Sequence, residues 1–441
     1  PIMAAVKPLS SAPAAYSPRF DPQSTQALIS RMVSELSGGD VLSTDTPLAD
    51  AGLDSLAATE LSSRLSAHFG TQLSPLIAFE QPAVRAMSAH ILTLVNVDEP
   101  RIFATRERES MSNSGLNSRT VVADAVQSRW PGGICSIRAC QELLLAAGDA
   151  ISEVRMQRWS TTATARFEIP PTHFSGLVAG VQRFDAAAFG IVRAEVDAMD
   201  PQQRLLLELG YGALHAAGHT RATLDGSDAA TCIGIDHVDW ELLQVLKHSL
   251  TVQMRASGYA ATGEWRGMAA GRLAFALGLQ GPCTAFTTAC SSALVAAHHG
   301  VGDIRSAKCS TAVAAGSRLV LLPYGMDVGG MIAHDGRSKS FDARANGWGR
   351  SENVVAVVLA EAALSAATTA MVGGAVRGDG RSASLTAPNG SAQRNSLELA
   401  LEDAAMTPAD LCNVQLQGLG SAMADPIEVS ATVGALKDRA S

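Results

Sequence analysis

The sequence predicts two folded parts, a small all-α bundle followed by a larger α/β domain. Three observations carry this reading. Apolar residues recur at helical spacing from about residue 24 to residue 94. Beyond residue 121, strand-length apolar runs such as Val354–Leu359 alternate with alanine-rich stretches and glycine-containing turns, the texture of buried strands between helices. Between the two, residues 96–120 are charged and polar, with Arg106–Ser110 followed by Ser112–Gly115, and read as a linker. A length of 441 residues suits this division at roughly 150 residues per domain.

Residues 1–22 are rich in Ala, Pro and Ser and read as a leading linker. Leu28, Met32 and Leu36 then recur at i, i+4 and i+8, with Ile29 and Val33 beside them. Leu61, Leu65 and Phe69 repeat the spacing, and Met87, Ile91 and Leu94 form a third stripe. Each stripe is expected to bury one helix face.

Composition narrows the function. There are 34 basic and 42 acidic side chains, a formal charge of −8, which argues against a nucleic-acid partner. No apolar run approaches the length that crosses a bilayer, and the first residues lack the layout of a secretory signal. The 7 cysteines are irregularly spaced with no CxxC pair, so neither a disulfide framework nor a metal site is expected. A reducing cytosol is the natural setting.

The first chemical motif runs from Asp45 through Gly52-Leu53-Asp54-Ser55-Leu56 into the second helical stripe. A serine there is by itself most simply a helix N-cap. The longer string is similar to that of the acyl carrier protein family, and the likeness continues through Leu73–Val84, with Phe79-Glu80-Gln81-Pro82 in the family's place. The resemblance implies 4′-phosphopantetheine on Ser55, flanked by Asp54 and Leu56, in a four-helix carrier domain over residues 23–95. A phosphodiester is well placed at a helix N-terminus, where free N–H groups and the helix dipole favour an anion. The acidic residues Glu35, Asp40, Asp45, Asp50, Asp54, Glu60 and Glu80 outnumber Arg31, Arg64 and Arg85, and the family implies docking onto basic partners.

The second motif is Gly281–His299, in which an apolar strand is expected to end at Cys290 and small residues to open an alanine-rich helix. A cysteine at a helix start is a credible nucleophile. The bland alternative is a small buried thiol. The string Thr288-Ala289-Cys290-Ser291-Ser292 resembles the β-ketoacyl synthase signature. Ser128–Gly133, Arg183–Ile191, Ala198–Leu205, His334–Asp342 and Leu385–Gly390 follow the order found in ketosynthases of type I modular polyketide synthases. The resemblance starts near residue 118 and gives a domain over 121–441. It implies a thiolase-like layered α/β/α/β/α fold with its C-terminal half incomplete, usually a homodimer. It also implies polyketide or fatty-acid biosynthesis, in which an acyl chain is taken onto Cys290 for decarboxylative Claisen condensation. Other synthase domains and a phosphopantetheinyl transferase are the implied partners.

Two histidines serve condensation in that family. Register fixed by Asp425-Pro426-Ile427-Glu428 places the first on Gln417, with Leu419 at the next threonine position. Glutamine donates a hydrogen bond but does not exchange a proton near pH 7. The second would lie beyond Ser441. Among the other histidines, His298 and His299 lie about two turns, ~12 Å, into the helix after Cys290 and read as packing residues. His334 reads as a surface side chain. Arg350–Val355 replaces a glycine-rich turn, residues 377–380 look shortened, and Asp124 interrupts the expected first strand. Missing strands of a second sheet are expected to leave apolar surface exposed. Three readings stay open: a condensing carrier–ketosynthase segment, a non-condensing acyl-transfer domain, and a scaffold in which Ser55 alone works. A nonribosomal peptide carrier fits residues 24–94 taken alone, but the Cys290 segment speaks against it.

Overall fold

The computed structural model describes residues 20–37, 43–48, 53, 55–71, 73–74, 77–95, 120–154, 158, 173–236, 239–249, 258–322, 331–362, 369–384 and 386–437. Both linkers lie largely outside this set, as do Asp40, Asp50 and Asp54. The chain divides into two compact units, Pro1–Glu109 with Asp379–Ser391, and Ser110–Gly378 with Ala392–Ser441.

The first unit is built on α1 (Pro22–Ser37), α2 (Ser55–Phe69), α3 (Ile77–Glu80) and α4 (Val84–Val95). Asp21 starts α1 by accepting the Ser24 N–H at 2.9 Å. The core gathers Ile29, Val33, Leu48, Leu61, Leu65, Ile77, Val84, Met87 and Ile91, all fully buried. The expected stripes are corrected in two places. Ile29 and Val33 form the inner face of α1, while Leu28, Met32 and Leu36 pack only partly against it. Leu94 stands 43% exposed at the end of α4, where the bundle no longer covers it.

The second unit carries β1 (Val121–Arg129), α5 (Ile137–Leu145), β2 (Ser152–Glu153), β3 (Phe174–Ser175), α6 (Arg193–Ala198), α7 (Pro201–Ala216), α8 (Arg221–Leu224), β4 (Ala230–Ile235), α9 (Asp239–Ser249), α10 (Ala260–Glu264) and α11 (Met268–Leu277). It continues with β5 (Cys283–Phe286), α12 (Ser292–Arg305), β6 (Thr311–Arg318), β7 (Asn353–Glu361), α13 (Gly390–Asp403) and α14 (Ala424–Ala435). One five-stranded sheet runs in the order β1-β7-β6-β4-β5. Strands β4, β5 and β6 are parallel, and β7 is antiparallel to both β6 and β1.

Side-chain alternation separates the two faces of the sheet. Ile233, Ile235, Val313, Ala315, Val354, Ala356 and Val358 join the core beneath α7 and α11. Ala230, Ala312, Ala314 and Leu359 join Val301 and Ile304 of α12 on the other face. Helices therefore cover both faces, and near-continuous apolar strands are the consequence.

The expected strand carrying Asp124 does form, because the ladder between β1 and β7 shifts register between Ala123 and Ala125. Asp124 is the extra residue of this bulge, so its carboxyl is half-buried rather than sealed in the core. Among the described residues no second large sheet is assembled; β2 and β3 make only a short ribbon. Val372, Val376 and Val414 stand 53%, 40% and 40% exposed.

Candidate active site

Strand β5 ends at Phe286, four residues before Cys290, which corrects the expectation that the strand reaches the cysteine. Cys290 instead sits in a 3₁₀ turn, Ala289–Ser291, that leads directly into α12. Ala289 before it has φ of 51°, a left-handed conformation that costs an alanine roughly 1–3 kcal/mol. Local hydrogen bonds hold that turn. The buried Ser292 hydroxyl accepts from the Thr288 N–H at 2.8 Å and donates to the Ala289 carbonyl at 2.8 Å. Ser291 Oγ donates to the Thr288 carbonyl at 2.7 Å. Thr287 Oγ1 donates to the Ile235 carbonyl at 2.9 Å, tying the end of β5 to the end of β4.

Two strand glycines let α12 begin this close to the sheet. Gly234 of β4 and Gly316 of β6 are direct partners in the ladder. A Cβ on Gly234 would lie 2.5 Å from the Ser292 carbonyl carbon, and one on Gly316 would lie 2.6 Å from Ala293 Cβ. The bare backbone is what admits the helix start. Cys290 is exposed, which sets aside its reading as a packed core thiol; Cys232 and Cys309 are the buried ones, both pushed up to about 12 by burial.

Gln417 is also exposed, on a loop held by two carboxylates of α14. Glu428 accepts the N–H groups of Gln417 and Gly418 at 2.6 and 2.9 Å. The buried Asp425 accepts those of Gly420 at 3.1 Å, Ser421 at 3.2 Å and Phe341 at 2.8 Å, and Ser340 Oγ donates to the Gly418 carbonyl. The loop framework is thus complete around a side chain that donates hydrogen bonds but does not exchange a proton near pH 7. Among the described residues no hydrogen bond links Gln417 with Cys290. His299 stacks on Phe286 with ring centroids 4.5 Å apart, in keeping with a packing role, and His334 is an exposed side chain.

The replaced turn at 350–355 keeps its central acid. Glu352 is fully buried and accepts from Arg158 at 2.6 Å and from the N–H groups of Val178 and Val320 at 2.7 and 2.8 Å. Burial pushes its carboxyl upward, and Arg158 with the two N–H groups opposes this. Sequence reasoning missed the Gly234–Gly316 pair and Ser292. An isolated glycine inside an apolar strand was the available signal for the first two.

In the first unit Ser55 is the first residue of the fifteen-residue α2, followed by Leu56; Asp54 lies outside the described residues. A hydroxyl residue opening a helix of this length fits a phosphodiester, since the first-turn N–H groups have no partner within the helix. The loop before α2 is fixed to α4 by Arg85, which donates to both Asp45 oxygens at 2.8 and 3.0 Å and holds that carboxyl below its usual range. Arg64 meets Glu60 at 2.7 Å and Glu35 at 3.6 Å. Three of the acids expected to form a docking surface are therefore paired within the unit.

Cys290 thus lies exposed on a strand–turn–helix elbow at the carboxyl end of parallel strands in an α/β unit. Residues 118–365 match the β-ketoacyl synthase N-terminal domain, residues 368–441 its C-terminal domain, and residues 27–91 the phosphopantetheine attachment site. The chain belongs to the β-ketoacyl synthase family, preceded by a domain of the kind that carries 4′-phosphopantetheine covalently on a serine. It is 35% identical over 402 residues to the polyketide synthase GfsE of Streptomyces halstedii, covering 87% of this chain and 10% of that protein. It is 33% identical to the mycoketide-CoA synthase of Mycobacterium tuberculosis, covering 89% and 10%. The chain thus spans about a tenth of the length of these curated relatives. The ketosynthase from module 6 of the bacillaene synthase of Bacillus subtilis superposes with a TM-score of 0.64 at 26% identity, covering 73% of this chain and 55% of that one. The oxazolomycin ketosynthase domain of Streptomyces albus gives 0.66 at 26% identity, covering 73% and 56%. No described helix is long and apolar enough to cross a membrane.

Proposed function

We propose that the chain is a carrier–ketosynthase segment of a modular polyketide synthase, with domains over residues 23–95 and 121–441. Ser55 is the attachment point of 4′-phosphopantetheine, with Asp54 and Leu56 beside it, and Cys290 is the acyl-accepting nucleophile. The observation that carries the reading is the exposed Cys290 on its hydrogen-bonded elbow. The pantetheine arm, when attached, supplies a thiol for thioester linkage. Cys290 sulfur bonds to the carbonyl carbon of a presented acyl thioester while the donor's C–S bond breaks and its thiol leaves. A second copy of the chain and a phosphopantetheinyl transferase are the partners this reading calls for, in the cytoplasm.

Decarboxylative condensation asks more, since charge developing on the extender's thioester oxygen needs placed donors. The exposed, non-titrating Gln417 favours a second reading, acyl transfer without condensation. Co-expression with a phosphopantetheinyl transferase should add the prosthetic mass to the peptide containing Ser55, and Ser55→Ala should abolish it. An acyl thioester should label Cys290 in the same sample. Wild-type release of CO₂ from a malonyl thioester supports condensation; release gained only in Gln417→His supports transfer alone. A folded sample that labels neither residue defeats both readings.

A further inference from the structure

Arg318 ends β6 on the same face of the sheet as α12. The alternation that puts Ala312 and Ala314 against α12 continues through Gly316, whose bare backbone meets Ala293, to Arg318 one pleat further on. That step leads past the helix start toward the turn holding Cys290, at the carboxyl ends of the parallel strands. Asn353 of β7 is the cross-strand partner of Arg318, placing an amide on the same face at the position where the family's glycine is replaced.

This guanidinium is half-buried, and no described residue gives it a hydrogen bond or ion pair. Burial pushes it below its usual range, and the neighbouring acidic groups that oppose this are Asp239, Cys290 and Asp236. Both carboxylates are engaged elsewhere. Asp239 accepts the N–H groups of Leu321 and Leu322 at 2.9 and 3.2 Å. Asp236 has Arg266 at 4.0 Å, with the same guanidinium on its carbonyl at 2.9 Å. A desolvated cation with unfilled donors beside an exposed nucleophile is a receptor for an anion, and a planar fork matches a carboxylate best.

We propose that Arg318 is a specificity-determining residue of the Cys290 site, receiving the free carboxylate of an acyl group that carries one close to its thioester carbon. The assignment rests on the reading of Cys290 as acyl acceptor. It adds that a carboxylated acyl group is favoured over a neutral one of equal size.

Paired alkylation tests this without acyl transfer. Iodoacetate and iodoacetamide differ in the carboxylate, and peptide mass spectrometry gives the rate at each cysteine. The iodoacetate-to-iodoacetamide ratio at Cys290 should exceed that at the exposed Cys135 and Cys412 by about fivefold or more, roughly the effect of one nearby charge. Arg318→Gln should bring it down to the control value, and Arg318→Lys should keep most of it. A Cys290 ratio equal to the controls, or one that survives Arg318→Gln, overturns the assignment. The buried Cys232 and Cys309 must stay unlabelled in each variant. If Arg318→Gln exposes them, the wild-type ratio decides: an advantage that fades with added salt supports Arg318, and a salt-independent one overturns it. Malonyl and 3-methylbutanoyl thioesters of N-acetylcysteamine then separate the two claims. No acylation by either, with the alkylation ratio intact, removes the acyl-acceptor reading and leaves Arg318 standing. Equal acylation by both, with a flat ratio, does the reverse.

Discussion

Asp200 caps α7 from a position almost without solvent. Its carboxylate accepts the Gln202 N–H at 2.8 Å and the Gln202 side-chain amide at 3.1 Å, and burial nonetheless pushes its pKa up to about 6. The neutral acid is the form the fold prefers. Below pH ~4 both folded and unfolded chains hold the proton, so stability does not vary with pH there and the contribution of the neutral acid is fully present. Between about 4 and 6 only the folded chain keeps it, so stability falls as pH rises through that window, by roughly 3 kcal/mol for a shift of about two units. Asp200→Asn offers the same acceptor to the helix, and an amide rotation at Gln202 satisfies its buried, unpaired Oε1. Urea unfolding should show the variant gaining on wild type by about 2 kcal/mol between pH 4.5 and pH 7.5. A pH-independent difference would mean that Asp200 is ionised throughout.

Strand glycines and helix glycines carry opposite expectations at the scale of α12. Gly234 lies under the helix start, and an alanine there drives its Cβ into backbone that cannot yield. Overpacking of this kind costs roughly 1–3 kcal/mol, and displacement of the elbow should slow acylation of Cys290 by about tenfold or more. Gly302, inside the same helix, has nothing within 4 Å of its missing Cβ, so Gly302→Ala should add about 0.5–1 kcal/mol and leave acylation alone. Thermal melts with acyl labelling of Cys290 read both. This element also shows how far sequence reaches. Cys290, the helix after it and the run Val354–Leu359 within β7 were legible, because small residues, periodicity and apolar runs are local signals. Ser292's bond back to Thr288, the glycine pair across β4 and β6, and the bulge at Asp124 were not. The pairing of the glycines and the bulge depend on strands distant in sequence, and the Ser292 bond, though it spans only four residues, depends on the left-handed turn at Ala289, which no periodicity marks.

Each unit has its own apolar core, and the molecule as a whole is marked by where its tryptophans fall. All five, Trp130, Trp159, Trp240, Trp265 and Trp348, belong to the second unit, while the core of the first is drawn wholly from Ile29 to Ile91. Tryptophan emission therefore follows one unit alone, and helical circular dichroism follows both. Leu65 is fully buried in the first core, and Leu65→Ala should cost that unit about 2–5 kcal/mol through lost burial and the cavity left behind. The urea midpoint by circular dichroism should split or move earlier, while the emission midpoint stays at its wild-type value. That outcome would make the stability of the first core independent of the second. If both midpoints moved together, the two cores would be one cooperative unit and that independence would be lost.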